Sequence, residues 1–225
     1  MTKVIRKQKK VDKYNFPYTF NPYTGCSFGC IYCYSIKSKI WSSRLKNWGI
    51  KPNVAKPKPN VVNDLDNDLQ ILIRIKDKEV QIGNFFEPYP HIESKNKITR
   101  ECLKLFANKY TDWIVHLETK GNIILRDLDI IKKIKDFQAE ITITTLTHDK
   151  EFEPYATTTQ QRLDVIKELS KNGVFVRVMI MPVLDGYTDI NKIKSLAFKY
   201  GAKDYKIKHL NYFDIEDLKK QYNII

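Results

Sequence analysis

The sequence has no run of 18 apolar residues, so a transmembrane helix is excluded. Its opening residues, Met1-Thr2-Lys3-Val4-Ile5-Arg6-Lys7, carry charge where a signal peptide needs an apolar stretch. The expected compartment is therefore cytoplasmic, with no membrane association. No low-complexity tract or internal repeat is present. Cysteine is scarce: there are four, and three fall within eight residues. A disulfide framework wants even numbers spread along the chain. In a reducing cytosol, clustered thiols read instead as metal ligands or redox groups. Acidic residues are too few to balance the basic ones, 26 against 39, for a formal net charge of +13.

A chain this basic is drawn to polyanions, nucleic acid first. Lysine decoration of solvent faces gives the same total. The charge is concentrated in two stretches, however. Residues 3–13 carry six lysines and arginines, and residues 37–58 carry seven, interleaved with Trp41 and Trp48. Basic side chains beside aromatics suit a nucleic-acid backbone and its bases. Lys37, Lys39, Trp41, Arg44 and Lys46 are the candidate nucleic-acid contacts.

The chain has 225 residues, enough for one domain with a sizeable core. Asn53 to Pro59 contains three prolines and reads as a loop or an extended connection. Beyond residue 80 the pattern is regular. Apolar or β-branched runs predict strands at 80–85, 113–118, 140–146, 174–181 and 204–210, with Pro182 stopping the fourth of them. Helical periodicity predicts helices at 99–108, capped by Thr99, at 127–137, at 159–171 and after Asp189. Tyr18 to Pro22 supplies a first strand. Six βα units result, too few for an eight-stranded barrel. The predicted fold is α/β, a single-domain partial (β/α)6 TIM-type barrel over residues 18–210. A basic arm (1–17) precedes it, residues 37–79 form an insertion, and a short helix lies within 211–225. In such barrels the chemistry sits at the C-terminal ends of the strands, and the cysteine loop follows the first strand.

That loop reads Asn21-Pro22-Tyr23-Thr24-Gly25-Cys26-Ser27-Phe28-Gly29-Cys30-Ile31-Tyr32-Cys33-Tyr34. The spacing is C-x3-C-x2-C. Three thiolates on one tight loop can grip three corners of an iron–sulfur cubane, leaving the fourth iron open to a small molecule. Gly25 and Gly29 let the loop bend. A Cys3His zinc site using His91, His116, His148 or His209 is the alternative, although none of them is paired with another cysteine at finger spacing.

The C-x3-C-x2-C string with an aromatic before its third cysteine resembles the signature of the radical S-adenosylmethionine (SAM) superfamily. The longer string, from Asn21 to Tyr34, resembles more narrowly its spore photoproduct lyase-like group. Supporting segments are Gly83 to Glu93, Glu118-Thr119-Lys120, Leu125-Arg126-Asp127, Glu153-Pro154 with Arg162, and Met179 to Val183. The resemblance implies an enzyme with a [4Fe–4S] cluster on Cys26, Cys30 and Cys33. Its open iron chelates SAM, which is cleaved reductively to a 5′-deoxyadenosyl radical that abstracts hydrogen from a substrate. It also implies Lys120 at the SAM carboxylate, Glu87 near the SAM amino group, Thr144 and Thr145 at the ribose, and Tyr32 towards the adenine. Glu153 and Arg162 are expected to form a structural ion pair. No residue is assigned to the hydrogen-abstraction step itself. Cys102, inside a predicted helix among Leu103, Leu105 and Phe106, reads as a buried structural thiol.

The expected partners are an external one-electron donor, flavodoxin- or ferredoxin-like, and a nucleic-acid substrate acted on in a lyase-like reaction by a monomeric enzyme. A radical SAM enzyme acting on a peptide, protein or small metabolite is the second reading. A non-catalytic metal-binding module on nucleic acid is the third.

Overall fold

The computed structural model describes residues 3–9, 11, 12, 16–37, 39–210 and 214–222, with the side chains of 36, 37, 39–41, 219, 221 and 222 outside that description. The chain begins with β1 (Arg6–Lys7), β2 (Tyr18–Phe20) and β3 (Tyr23–Gly25). Then come α1 (Tyr34–Lys37), α2 (Lys39–Asn47), β4 (Ala55–Pro57), α3 (Val61–Ile71) and β5 (Glu79–Ile82). Next are α4 (Glu93–Asn96), α5 (Ile98–Asn108), β6 (Ile114–Thr119), a 3₁₀ turn at Asn122–Asp127, α6 (Leu128–Ile131) and β7 (Asp136–Thr142). The last elements are α7 (Asp149–Phe152), α8 (Thr159–Lys171), β8 (Phe175–Val183), α9 (Ile190–Lys199), β9 (Asp204–His209) and α10 (Ile215–Tyr222).

The main sheet runs β1-β2-β5-β6-β7-β8-β9. All pairs from β2 to β9 are parallel, and β1 adds antiparallel to β2. Six parallel strands in chain order, with helices between them, make the partial (β/α)6 barrel that the sequence predicts. One side of each strand is apolar for a simple reason. Val80, Val115, Phe137, Leu117, Ala139 and Val178 meet helices, whose own stripes (Leu65 and Leu69 of α3, Leu103 and Phe106 of α5, Ile166 and Leu169 of α8, Ile193 and Ala197 of α9) complete the core. Cys102 lies in that core, fully buried on α5. So does α3, which links β2 to β5 within the predicted 37–79 segment.

The other side of the strands is polar. Glu140, with no exposed surface, accepts from Gln81 Nε2 at 3.1 Å, Arg177 Nη1 at 2.8 Å and Lys206 Nζ at 3.2 Å. His116 Nε2 lies 2.8 Å from Glu79, and its ring packs on Phe16 with centroids 4.0 Å apart. Burial drives the His116 imidazole down to about 4, so it is neutral at physiological pH.

Four sequence expectations are corrected. The helix predicted at 127–137 ends at Ile131, and β7 begins at Asp136 rather than 140. Phe137, Ala139 and Ile141 share the core-facing side of a strand, and that pairing overrides the helical pattern before it. Pro182 does not stop β8, which continues to Val183 through a cis Met181–Pro182 peptide. Thr99 does not cap α5; its hydroxyl donates to the Pro88 carbonyl. The 53–59 segment is extended, as one of its two readings has it, and contains β4, paired with β3. Asp189 does cap α9, accepting from Lys192 N. Among the described residues no helix is long and apolar enough to cross a membrane.

Asp68, on α3, is buried and accepts from the amides of Lys3 (2.8 Å), Val4 (2.7 Å) and Ile5 (2.9 Å). One carboxylate thus fixes the start of the described chain to the core. Asp68→Ala leaves those amides without their acceptor. Its urea unfolding midpoint is expected to fall by the equivalent of about 2–3 kcal/mol. An unchanged midpoint would refute the anchoring role.

Candidate metal and cofactor site

The cysteine loop leaves the short β3–β4 ribbon and runs into α1. Two glycines shape it. Gly25 has φ +79°, and a Cβ there would lie 2.2 Å from the Val54 carbonyl oxygen. Gly29 has φ +65°, and its Cβ would lie 2.7 Å from the Tyr155 ring. Neither position admits another residue without moving backbone or ring. Ile31 N donates to Phe152 O (3.0 Å), Tyr155 N to Phe28 O (3.1 Å) and His91 N to Ser27 Oγ (3.1 Å). The loop is therefore tied to the chain that follows β7 and to the chain that follows β5. Asn21 helps on the inner side, accepting from the amides of Phe85 (3.2 Å) and Phe86 (3.0 Å).

Cys26, Cys30 and Cys33 line one cavity of about 380 Å³, shared with Tyr32, Glu87 and Lys120. That volume suits a small organic cofactor. Burial pushes the Cys26 thiol well above its ordinary range and the Cys30 thiol up to about 12. Buried thiols of this kind become thiolates when a cationic metal group takes them up. Among the described residues no three His, Cys, Asp or Glu side chains converge on a single-ion position. The Cys3His zinc arrangement is thus not assembled. All three thiols line one cavity, on a loop that two glycines keep bare.

Glu153 stands at the centre of the charged groups beside the loop. It is buried and accepts from the Tyr32 hydroxyl and from Arg162 Nη2. Lys120 Nζ lies 4.0 Å from Glu153 Oε1 and 5.7 Å from the Tyr32 ring centroid. Arg162 is 1% exposed and also donates to the carbonyls of Thr157 (2.7 Å) and Thr142 (3.1 Å). Burial works against charge on Glu153, but Arg162 and Lys120 outweigh it and hold its pKa below the ordinary value. Burial likewise opposes the Lys120 ammonium, and Cys30 and Glu153 more than offset it. The Glu153–Arg162 ion pair expected from the sequence is present.

The remaining sequence-derived candidates fall in different places. Both oxygens of Glu87 are engaged: the Tyr89 amide (2.9 Å) and the Thr119 hydroxyl donate to one, the Lys120 amide (3.1 Å) to the other. Glu87 thus clamps the β5 loop to the end of β6. Thr144 bonds the Tyr32 hydroxyl at 3.1 Å. Thr145 Oγ1 accepts from the amides of Thr147 (3.4 Å) and His148 (3.3 Å) and shapes the turn into α7. Arg44 and Lys46 are exposed on α2, whose Leu45 packs beside Phe86. The side chains of Lys37, Lys39 and Trp41 lie outside the described residues. Sequence reasoning missed Thr142, Glu118, Gln81 and His209, all of which line the cavity. Their signal was available for three of them: polar residues at alternate positions of otherwise apolar strands.

Glu118 faces the cavity with only long contacts, to Gln81 Nε2 at 3.3 Å and Thr142 Oγ1 at 3.4 Å. Burial and then the charge of Glu140 raise it to about 7, against the opposing pull of Lys120 and Lys206. A carboxyl raised in the folded state stabilises below its unfolded pKa and loses that contribution as pH rises through the folded value. The stability difference between Glu118→Gln and wild type is therefore expected to shift in favour of the variant between pH 5 and pH 8, by at most roughly 3 kcal/mol. Denaturation series at both pH values check this, and a difference independent of pH contradicts it. Taking the difference removes the contribution of His116, which runs in the opposite direction.

Comparison with known proteins adds the family. The family model of the radical SAM superfamily matches residues 20–198. An uncharacterised protein of Methanocaldococcus jannaschii is 27% identical over 194 residues, 84% of this chain and 70% of that protein. Among solved structures, a spore photoproduct lyase variant with bound AdoMet and dinucleoside spore photoproduct superposes with a TM-score of 0.69 at 14% identity. The match covers 94% of this chain, which spans 64% of that enzyme's length. Streptococcus suis SuiB bound to its precursor peptide SuiA superposes with a TM-score of 0.62 at 13% identity, over 86% of this chain and 39% of SuiB. These last two likenesses show a shared partial-barrel fold. With its cysteine motif inside the matched region, the chain belongs to the radical SAM superfamily, whose enzymes use a [4Fe–4S] cluster and SAM.

Proposed function

We propose that Cys26, Cys30 and Cys33 hold three irons of the cluster and that Lys120 binds the carboxylate of SAM. The observation that carries this is a single cavity, at the C-terminal ends of the strands, lined by all three thiols and Lys120. The cluster and SAM together supply the superfamily's one-electron chemistry when bound. The chain's own residues do the rest. Gly25 and Gly29 leave room for the loop to close around the cluster. Glu153 orients Lys120 and Tyr32 from one side, and Arg162 keeps Glu153 ionised. Glu87 sets the backbone at Lys120 and lies where the SAM amino group is expected. Thr144 acts through Tyr32, and Thr145 through its turn, on the ribose side. An external one-electron donor, flavodoxin- or ferredoxin-like, reduces the cluster of a monomeric enzyme.

The substrate is a nucleic acid or nucleotide in this reading, contacted by Arg44 and Lys46 of α2, whose Leu45 packs beside the cavity-lining Phe86, and by the sequence candidates Lys37, Lys39 and Trp41, whose side chains lie outside the described residues. The charge of +13 supports it. A peptide, protein or small-metabolite substrate is the reading that remains if the reconstituted protein ignores DNA and RNA at low salt.

Anaerobic reconstitution with iron and sulfide, followed by SAM and a strong reductant, tests the cofactor claim. Formation of 5′-deoxyadenosine is expected. One tightly bound zinc and no cleavage would overturn it. In Cys30→Ala both the cluster absorbance and the cleavage should vanish. Lys120→Met should retain the cluster and raise the KM for SAM about 10- to 100-fold, the cost of one charge-assisted contact. A KM unchanged in that variant assigns the carboxylate elsewhere.

A further inference from the structure

A further basic surface lies outside the two stretches that the sequence analysis singles out. Residues 190–209, which form α9 and β9, contain six lysines and one acid, Asp204. The acid is taken by Arg177 Nε at 2.7 Å, and Lys206 is turned inward to Glu140. Lys192, Lys199 and Lys203 are exposed, and among the described residues none of them forms an ion pair. Two aromatic rings lie among them. Phe198 is 43% exposed and Tyr205 is 38% exposed. Their centroids are 6.3 Å apart at 73°, and Lys194 Nζ sits 3.8 Å from the Tyr205 centroid.

A lysine-rich edge strand has an ordinary explanation. Lysines blunt an edge against pairing with other chains. That accounts for charge on β9, the terminal strand in the sheet order, but not for large exposed rings beside it. Exposed aromatics raise the hazard that edge lysines lower. Ile193 and Ala197 already fill the core side of α9, so the core does not require Phe198.

Position supplies the second observation. The strand leads from these rings to the site: Lys208, His209 and Leu210, at and just beyond its C-terminal end, line the cavity that holds the three cysteines. Tyr205 and His209 are separated by about 13 Å along the strand. Cations without acidic partners, partly exposed rings and a strand ending at a reactive cavity are what a single strand of nucleic acid needs. The phosphates meet lysines, and unstacked bases find a π-face. A duplex offers no unstacked base to the rings.

We propose that α9 and β9 form a track for single-stranded nucleic acid that feeds the cavity along β9. This rests on the nucleic-acid reading of the substrate and assigns it a surface distinct from α2. The track binds backbone through Lys192, Lys199 and Lys203 and stacks bases on Tyr205 and Phe198.

The test uses the full reconstituted chain and a fluorescently labelled 12-nucleotide single-stranded DNA, with anisotropy followed across a salt series. Wild type should bind, with affinity falling as salt rises. Replacing Lys192, Lys199 and Lys203 with Glu should flatten the log–log salt slope by about 2. Tyr205→Ala should weaken binding about 5- to 100-fold with little change in that slope. Tyr205→Phe, which keeps the ring, should bind like wild type, a rescue that a merely structural role does not predict. Arg44→Glu with Lys46→Glu, on α2, should cost less than the triple replacement. Wild-type binding unaffected by both the triple replacement and Tyr205→Ala overturns the track. So does a duplex of the same sequence binding more tightly than the single strand. Absence of wild-type binding at low salt also overturns it. SAM cleavage without oligonucleotide, measured on the same wild-type preparation, separates that failure from a failure of the cofactor site.

Discussion

A buried carboxylate ties the site together. Glu153 follows α7, far in sequence from Tyr32 and Lys120. Through the Tyr32 hydroxyl it fixes the cysteine loop, and through Arg162 it reaches α8 and the carbonyl that ends β7. Lys120, just past β6, completes the set. Two strand ends, one helix and one loop therefore share a single negative charge. Such a charge is tolerable in the interior only while its cations stay in place. Removing one partner of a buried pair leaves the other uncompensated, at about 3–5 kcal/mol. The arrangement confers geometry more than stability: Lys120 and the loop cannot move independently of each other.

The barrel interior follows the same logic lower down. A parallel sheet covered on both faces is apolar on both. Here the inward side carries Gln81, His116, Glu118, Glu140, Arg177 and Lys206. Most of that charge is balanced locally, with two cations on Glu140. Glu118 is the exception, since neither of its contacts is a cation. It is therefore the interior acid whose protonation changes near neutral pH, and it faces the cavity.

Much of the fold was legible in the sequence because burial leaves a periodic trace. The strands at 79–82, 114–119, 175–183 and 204–209 and the helices at 98–108, 159–171 and 190–199 appear close to where apolar spacing puts them. The misreadings occurred where local preference and long-range pairing disagree. The 127–137 segment has helical spacing, yet Phe137 is drawn into β7 by its register with Val115. Proline usually ends a strand, yet β8 runs past Pro182 to Val183. At the site, the cysteine spacing pointed to a metal and left zinc open until the resemblance of the longer string was added. The hydrogen bonds of Thr144 and Thr145 could not be read in advance, because they depend on where Tyr32 and the turn into α7 arrive.

The sequence by itself pointed to a metal site, since three thiols on a glycine-bent loop are a local arrangement that needs no distant partner, and the class of chemistry came with the resemblance of that string and its downstream segments to the radical SAM superfamily. The sequence also determined the order of strands and helices, which is written in residue period. Tertiary structure alone decided which charges matter. Glu153, Arg162 and Lys120 act as one unit only because the loops after β6 and β7 end side by side. The lysines of α9 and β9 become a surface only because a helix and an edge strand place Lys194 over Tyr205. Electrostatic and stacking interactions depend on distances in space, and a sequence encodes those distances only through the fold.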